Sequence, residues 1–140
     1  MKKYKPILIV AGEPNSIFTE ILFKSLKKIK VKSPIILICS ERLLKLQMKK
    51  LKYKLKINII KKNLKNQTLK KKYINLININ YYPLKAFEKI SIRSNNYINN
   101  CFKTAIEIIK LYRINKLING PINKNIFLNK KHLGITEYLS

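Results

Sequence analysis

Short, continuous runs of apolar residues recur along the chain and are separated by polar segments. The runs are rich in isoleucine and too brief for helices, which is typical of strands buried on both faces of a sheet. They lie at residues 6–11, 34–40, 55–60, 74–81 and 116–119. Amphipathic stretches with helical spacing follow three of these runs, at about 16–30, 41–51 and 95–113. Strands that alternate with helices predict an α/β fold with a mostly parallel sheet and flanking helices.

Two of the predicted helices have apolar faces that the sequence specifies in detail. On the first helix, the side chains expected to pack on the sheet are Phe18, Ile21, Leu22, Leu26 and Ile29. On the last helix, the stripe expected in the core consists of Ile98, Cys101, Phe102, Ala105, Ile109 and Tyr112. Ser40 stands where it can cap the middle helix. No repeat or linker interrupts the series, so residues 1–140 are predicted to form a single α/β unit.

The charge balance is unusual, because 31 Lys and Arg residues face 6 acidic residues, for a net charge of +25. Such a charge attracts polyanions, and non-specific binding to them is expected at low salt. The same balance is also typical of an AT-rich coding sequence, since Lys, Asn and Ile are abundant and Asp and Trp are absent. The lysine-rich segment 61–72 has no acidic residue and is either a solvated loop, a frayed helix or an anion-binding patch.

No complete catalytic or metal-binding constellation can be identified in the sequence. Cys39 and Cys101 lack partners at metal-binding spacing and are expected to be buried free thiols. His132 is the only histidine and is expected at the surface near a helix end. Glu13 and Glu137 lie at turns, where they act either as turn residues or as general bases. No apolar run is long enough to cross a membrane, so a cytoplasmic protein is expected.

The last stretch, residues 117–140, carries the densest set of candidate binding residues. An apolar run breaks at Gly120-Pro121, a helix is predicted from about residue 123, and a second break follows at Gly134. Strand–turn–helix connections of this kind build binding sites at the carboxyl ends of parallel strands. Lys124 lies at the predicted helix start, where its ammonium group and the free backbone N–H groups can meet a phosphate or carboxylate.

Two motifs in this stretch carry a resemblance to a known family. The sequences GPINK at 120–124 and GITEYLS at 134–140 resemble those of 4-hydroxythreonine-4-phosphate dehydrogenase, the NAD-dependent enzyme of vitamin B6 (pyridoxine) biosynthesis. A third segment, AGEPNSIFTE at 11–20, is similar to the family's GEPxGIGPE. Ile135 departs from the pattern, since it stands where the family has a histidine that contacts substrate.

The resemblance implies a fold like that of isocitrate and isopropylmalate dehydrogenases, with this chain as the amino-terminal part of a longer two-domain homodimer. It implies oxidation and decarboxylation of 4-phosphooxy-L-threonine with NAD or NADP. A divalent metal (Zn, Mg or Co) would be held by three histidines beyond this chain, which is therefore expected to be an inactive fragment on its own. The implied substrate-binding residues are Thr136, Lys124 and the Ile135 position, with Gly120 and Pro121 as a phosphate or turn motif.

Two other functions stay open at this point. A dehydrogenase acting on another phosphorylated hydroxy acid would fit the departure at Ile135. A small basic nucleic-acid-binding domain would fit the charge. A Rossmann dinucleotide site is not indicated, because the chain has only three glycines and no GxGxxG sequence after the first strand.

Overall fold

The computed structural model of the protein describes residues 4–123 and contains every strand and helix predicted within them. The strands are β1 (Ile7–Val10), β2 (Ile35–Cys39), β3 (Ile57–Ile60), β4 (Ile74–Asn78) and β5 (Leu117–Asn119). The helices are α1 (Phe18–Lys28), α2 (Glu41–Leu51) and α3 (Asn95–Tyr112), and α3 follows a 3₁₀ turn at Ile92–Ser94. The ends of these elements differ from the predicted ends by a few residues.

All five strands form one parallel sheet in the order β3-β4-β2-β1-β5. This confirms the predicted α/β fold with a parallel sheet and flanking helices. The connections from β1 to β2 and from β2 to β3 run in one direction along the sheet, whereas the connection from β4 to β5 returns past them. Because parallel crossovers are right-handed, α1 and α2 lie on one face of the sheet and α3 lies on the other.

The core is built on the three central strands, whose side chains are almost entirely buried. The fully buried large side chains on these strands are Leu8, Val10, Ile36, Leu37, Ile38 and Leu76. The edge strands are more open, since Ile59 on β3 and Ile118 on β5 are about half exposed. Cys39 and Cys101 are buried free thiols, as predicted, and burial raises the pKa of Cys101 to about 12.

The predicted inward face of α1 was wrong in part. Ile21 and Ile29 are 51% and 60% exposed, whereas Thr19, Leu22 and Phe23 are buried. The helix is turned toward Phe23 because that ring is fully buried and lies 5.5 Å from the ring of Tyr53, which follows α2. A large aromatic ring contributes more buried apolar surface than one isoleucine, so its position sets the rotation of the helix.

Two further features follow the sequence closely. The Ser40 hydroxyl accepts a hydrogen bond from the backbone N–H of Leu43 at 3.2 Å, which makes Ser40 the predicted cap of α2. Residues 61–72 form turns and irregular backbone without a helix. None of the helices within residues 4–123 is long and apolar enough to cross a membrane.

Candidate functional site

The candidate site lies where the carboxyl ends of β1 and β5 meet. From β1 the chain moves to β2 on one side, while β5 pairs with β1 on the other side. The strand order turns back at β1, because β2 and β5 flank it on opposite sides, and ligands of open α/β sheets bind outside the carboxyl ends of the strands at such points. The strand order therefore points to the loops that begin at Gly12 and Gly120.

These two loops approach each other so closely that both glycines are required. Gly12 has φ +74°, a conformation that side chains disfavour, and a Cβ atom there would lie 2.5 Å from the carbonyl oxygen of Pro121. A Cβ atom on Gly120 would overlap the carbonyl oxygen of Ala11. The backbone N–H of Glu13 donates to the Pro121 carbonyl at 2.8 Å. Segment 11–20 and the first two residues of GPINK are thus brought into direct contact.

Glu13 is a buried carboxyl group at the end of β1, with only 3% of its surface exposed. Its Oε1 accepts a hydrogen bond from the Asn15 backbone N–H at 3.1 Å, and its Oε2 accepts one from the Ser94 hydroxyl at 3.4 Å. Burial raises the pKa of Glu13, and the two hydrogen bonds oppose that rise in part. The group links the β1–α1 loop to the start of α3.

The segment between β4 and α3 covers this end of the sheet and is tied to the β1–α1 loop at two further points. The Asn15 side chain accepts a hydrogen bond from the Glu88 backbone N–H at 2.9 Å. The fully buried Gln47 donates through Nε2 to the carbonyl oxygens of Pro14 at 2.7 Å and Ala86 at 3.0 Å. These bonds hold the two residues that follow Glu13 against the segment between β4 and α3.

Two stacked tyrosines support the neighbouring strand end. The rings of Tyr81 and Tyr97 lie 4.7 Å apart, and the Tyr97 hydroxyl accepts a hydrogen bond from the Ser40 backbone N–H at 2.8 Å. The Ser40 hydroxyl donates to the carbonyl oxygen of Tyr81 at 3.2 Å. Burial raises the pKa of Tyr97 well above its ordinary value, so this phenol is neutral and serves as a structural partner.

An exposed cationic rim borders the same edge. Arg93 forms an ion pair with Glu88 at 3.0 Å and donates to the carbonyl oxygen of Tyr82 at 2.7 Å. Arg42 lies with its guanidinium carbon 5.8 Å from the centre of the Tyr82 ring. Sequence reasoning assigned no role to either arginine. The sequence could have drawn attention to them only through their rarity, because only three arginines occur in a chain otherwise rich in lysine.

The structure places only part of the predicted site. Gly120 is buried and Pro121 is exposed at the end of β5, against the β1–α1 loop. Lys124, Ile135 and Thr136 lie outside residues 4–123, as do His132 and Glu137, so their predicted roles stay predictions. Residues 4–123 contain no cluster of three or more His, Cys, Asp or Glu side chains that could hold a metal ion.

Sequence comparison identifies one family. The sequence model of the family described as "Pyridoxal phosphate biosynthetic protein PdxA" matches residues 30–140, which is most of the chain. The match includes the GPINK and GITEYLS motifs and the whole of β2 to β5. A search of curated protein sequences found no match.

Solved structures with the same fold carry related descriptions. A 4-hydroxythreonine-4-phosphate dehydrogenase from Burkholderia phymatum superposes with a TM-score of 0.81 at 22% identity, covering 97% of this chain and 43% of that one. A putative 4-hydroxythreonine-4-phosphate dehydrogenase from Salmonella typhimurium gives 0.81 and 22%, with coverage of 97% and 44%. The enzyme of that name from Klebsiella pneumoniae gives 0.73 and 20%, with coverage of 96% and 43%.

These likenesses establish the fold across almost the whole chain, and the chain spans less than half the length of each of the three solved proteins. The family match covers four of the five strands, α2 and α3, and the loop that begins at Gly120. On that match, this chain belongs to the family of the pyridoxal phosphate biosynthetic protein PdxA.

Proposed function

We propose that the chain is the amino-terminal part of a cytoplasmic dehydrogenase that oxidises and decarboxylates 4-hydroxythreonine 4-phosphate in pyridoxal phosphate biosynthesis, with NAD or NADP as oxidant. The family match over residues 30–140 carries this proposal. The substrate is proposed from the solved neighbours, which are 4-hydroxythreonine-4-phosphate dehydrogenases. The division into this α/β unit and a further part of a two-domain homodimer belongs to the same proposal.

In this proposal the β1–β5 crevice holds one end of the substrate. The Glu13 N–H fixes the Pro121 carbonyl, and Gly12 and Gly120 let the two loops touch. The chain therefore leaves β5 from a defined point, and Lys124 follows three residues after Pro121. The Lys124 ammonium group binds the substrate phosphate or carboxylate, because a cation with free backbone N–H groups nearby attracts anions.

Thr136 and Ile135 complete the proposed substrate contacts. The Thr136 hydroxyl hydrogen-bonds a substrate oxygen, as the family motif implies. Ile135 presents an alkyl group where the family has an imidazole, so it can pack against substrate but cannot donate or accept a hydrogen bond. This observation favours one alternative within the same class, a dehydrogenase for another phosphorylated hydroxy acid.

The described residues around the β1–β5 crevice do not contain the ligands of a resident metal or the turn sequence of a dinucleotide site. Residues 4–123 offer no metal-ligand cluster, and the β1–α1 turn has the single glycine Gly12 in place of a dinucleotide-binding sequence. We therefore assign the divalent metal (Zn, Mg or Co) to residues outside 4–123, and we assign no site for NAD or NADP among the described residues. In this proposal the described residues orient the substrate-binding segment, and no step of the reaction is assigned to them.

A titration followed by NMR tests the proposed substrate contacts. Adding 4-hydroxythreonine 4-phosphate to the isotope-labelled chain should shift the backbone amide signals of Gly12, Glu13 and Gly120, while an exposed site on α3, Lys103, should not respond. The same sample with NAD and Mg²⁺ should form no NADH, because the chain has a single histidine and lacks a metal site among its described residues. Shifts confined to other surfaces, or NADH formation by the chain alone, would refute the proposal.

A further inference from the structure

A second concave site lies at the opposite end of the sheet, where the strands begin. The cavity measures about 550 Å³ and is bounded by the segments that enter β2, β3 and β4, together with the end of α1. The candidate site described above lies at the carboxyl ends of the strands. The two sites are therefore separated by the length of the sheet and cannot share residues.

Five lysines line this cavity, and no acidic side chain does: Lys30, Lys32, Lys56, Lys71 and Lys72. Within residues 4–123, the ion pairs are formed by other lysines and by Arg93, so none of these five ammonium groups is neutralised by a carboxylate there. Like charges around one concavity repel each other. Their mutual repulsion is relieved when an anion enters.

The lysine-rich segment 61–72 is anchored to the sheet by two amide side chains. Asn75, fully buried on β4, accepts a hydrogen bond from the Lys70 backbone N–H at 2.9 Å and donates to the Lys70 carbonyl at 3.0 Å. Asn58 on β3 donates to the carbonyl of Thr68 at 3.1 Å and to the Asn75 side chain at 2.8 Å. The backbone that carries Lys71 and Lys72 is thereby held at the cavity rim.

The other end of the segment and the cavity wall are also fixed. The Leu64 backbone N–H donates to the Tyr112 hydroxyl on α3 at 2.8 Å. The Lys56 and Lys70 ammonium groups lie 5.6 Å and 4.8 Å from the centre of the Tyr73 ring, which itself lines the cavity. Of the alternatives open for segment 61–72, a frayed helix is contradicted, since the segment is irregular and fixed at both ends.

The floor of the cavity is apolar. It is formed by side chains from α1, from the segments before β2 and β3, and from the first residues of β2 and β4: Leu26, Ile29, Val31, Ile35, Leu55 and Ile74. A bare inorganic anion would leave this surface in contact with water. A ligand with an apolar body would cover it and gain the free energy of burying apolar surface.

We propose that this cavity binds a small polyanion with an aromatic body, the chemical class of the nucleoside polyphosphates. The phosphates lie among the five ammonium groups, and the ring system lies on the apolar floor beside Tyr73. A single concavity rimmed by cations suits one small ligand. An extended nucleic acid would instead require a basic track with several stacking surfaces.

Calorimetric titration of the protein with ATP, tripolyphosphate and adenosine tests this inference. ATP should bind with an affinity at least about tenfold tighter than tripolyphosphate, because the base buries apolar surface. Adenosine should bind weakest, because it has no charge to meet the lysines. Adding salt should weaken ATP binding, because ions screen the attraction between the phosphates and the lysines.

Two double variants that remove the same net charge separate a built site from general attraction. K32A/K72A removes two cavity lysines, whereas K50A/K103A removes two exposed lysines on α2 and α3 outside the cavity. The first should weaken ATP binding at least about tenfold and the second less than about twofold, because Coulomb attraction falls with distance in salt. All four lysines are exposed, so both variants should keep the unfolding transition of the parent protein.

Three outcomes would overturn the proposal. Equal losses of ATP affinity in the two double variants would show that binding depends only on the net charge of the protein. If tripolyphosphate bound as tightly as ATP, the aromatic base would contribute nothing to the affinity. Tight binding of long single-stranded polynucleotide, with none of ATP, would assign the surface to nucleic acid.

Discussion

The backbone N–H of Glu13 donates a 2.8 Å hydrogen bond to the carbonyl oxygen of Pro121, and so joins the loop after β1 to the loop after β5. The bond connects segments that are more than one hundred residues apart in the sequence, beside β1, where the strand order turns back. It also accounts for both glycines, because the loops could not approach to this distance with side chains at Gly12 and Gly120. The geometry of the candidate site depends on this contact.

Substituting Gly12→Ala should destabilise the protein by about 2 kcal/mol or more. The new methyl group would meet the Pro121 carbonyl, and alanine disfavours the φ of +74°. Urea unfolding, with Lys103→Ala on exposed α3 as the control, measures the difference. An unfolding midpoint equal to that of the control would show that the two loops are not in close contact.

Substituting Glu13→Gln should change how stability depends on pH. Burial raises the pKa of Glu13, so the folded state holds this proton more tightly than the unfolded state. The stabilisation that protonated Glu13 contributes is present below its ordinary pKa of 4.5 and is lost as pH rises through the folded pKa. The glutamine variant keeps the hydrogen-bonding shape without titrating, so its free energy of unfolding should gain on that of the parent as pH rises.

The measurement is the difference between the free energies of unfolding of the parent protein and the Glu13→Gln variant, from acidic to neutral pH. Asn100→Gln, at an exposed position on α3 where neither side chain titrates, is the matched control, and its free energy of unfolding should run parallel to that of the parent protein. Parallel curves for the parent protein and the Glu13 variant would mean that Glu13 is not held in a buried site.

Substituting Tyr97→Phe should cost about 1–3 kcal/mol of folding stability. The Tyr97 hydroxyl is the acceptor for the Ser40 N–H, and both groups are buried, so its removal leaves a buried donor without a partner. The control Tyr82→Phe, at a side chain that is 66% exposed, also removes a phenolic hydroxyl group but leaves no buried donor without a partner. Thermal unfolding of the two variants should therefore separate them, and equal melting temperatures would contradict the account.

Much of the fold could be predicted because the strands are fully buried, and such strands appear as continuous apolar runs. The rotation of α1 could not, since Ile21 and Phe23 are both apolar and only the packing of Phe23 on Tyr53 decides between them. Likewise the order of β3 and β4 depends on which way the segment 61–72 crosses, and no local pattern encodes that direction.

The only part of the candidate site that could be predicted from the sequence is the contact between the GPINK motif and the β1–α1 loop. Gly120 and Pro121 were singled out from sequence, and the structure brings them against the β1–α1 loop. The partners of Glu13 could not be found in this way. Ser94 and Asn15 are common polar residues, and they become significant only when tertiary folding brings Ser94 to the end of β1.

Substituting Ile135→His in the complete gene product should raise kcat/KM for 4-hydroxythreonine 4-phosphate, by about tenfold or more. The imidazole can hydrogen-bond a substrate oxygen, and sites that bind polar groups discriminate strongly on such bonds. Ile135→Val, which keeps an alkyl side chain, should have little effect. A lower value for the histidine variant, together with better turnover of another phosphorylated hydroxy acid by the parent protein, would instead support the alternative substrate.

The most direct test of the proposed function is NADH formation by the complete gene product with 4-hydroxythreonine 4-phosphate, NAD and a divalent cation. The account predicts substrate-dependent NADH formation that a chelator abolishes, and a lower rate in the Gly120→Ala variant, whose methyl group would overlap Ala11. No NADH from a folded, metal-loaded protein, with this substrate or with other phosphorylated hydroxy acids, would contradict it.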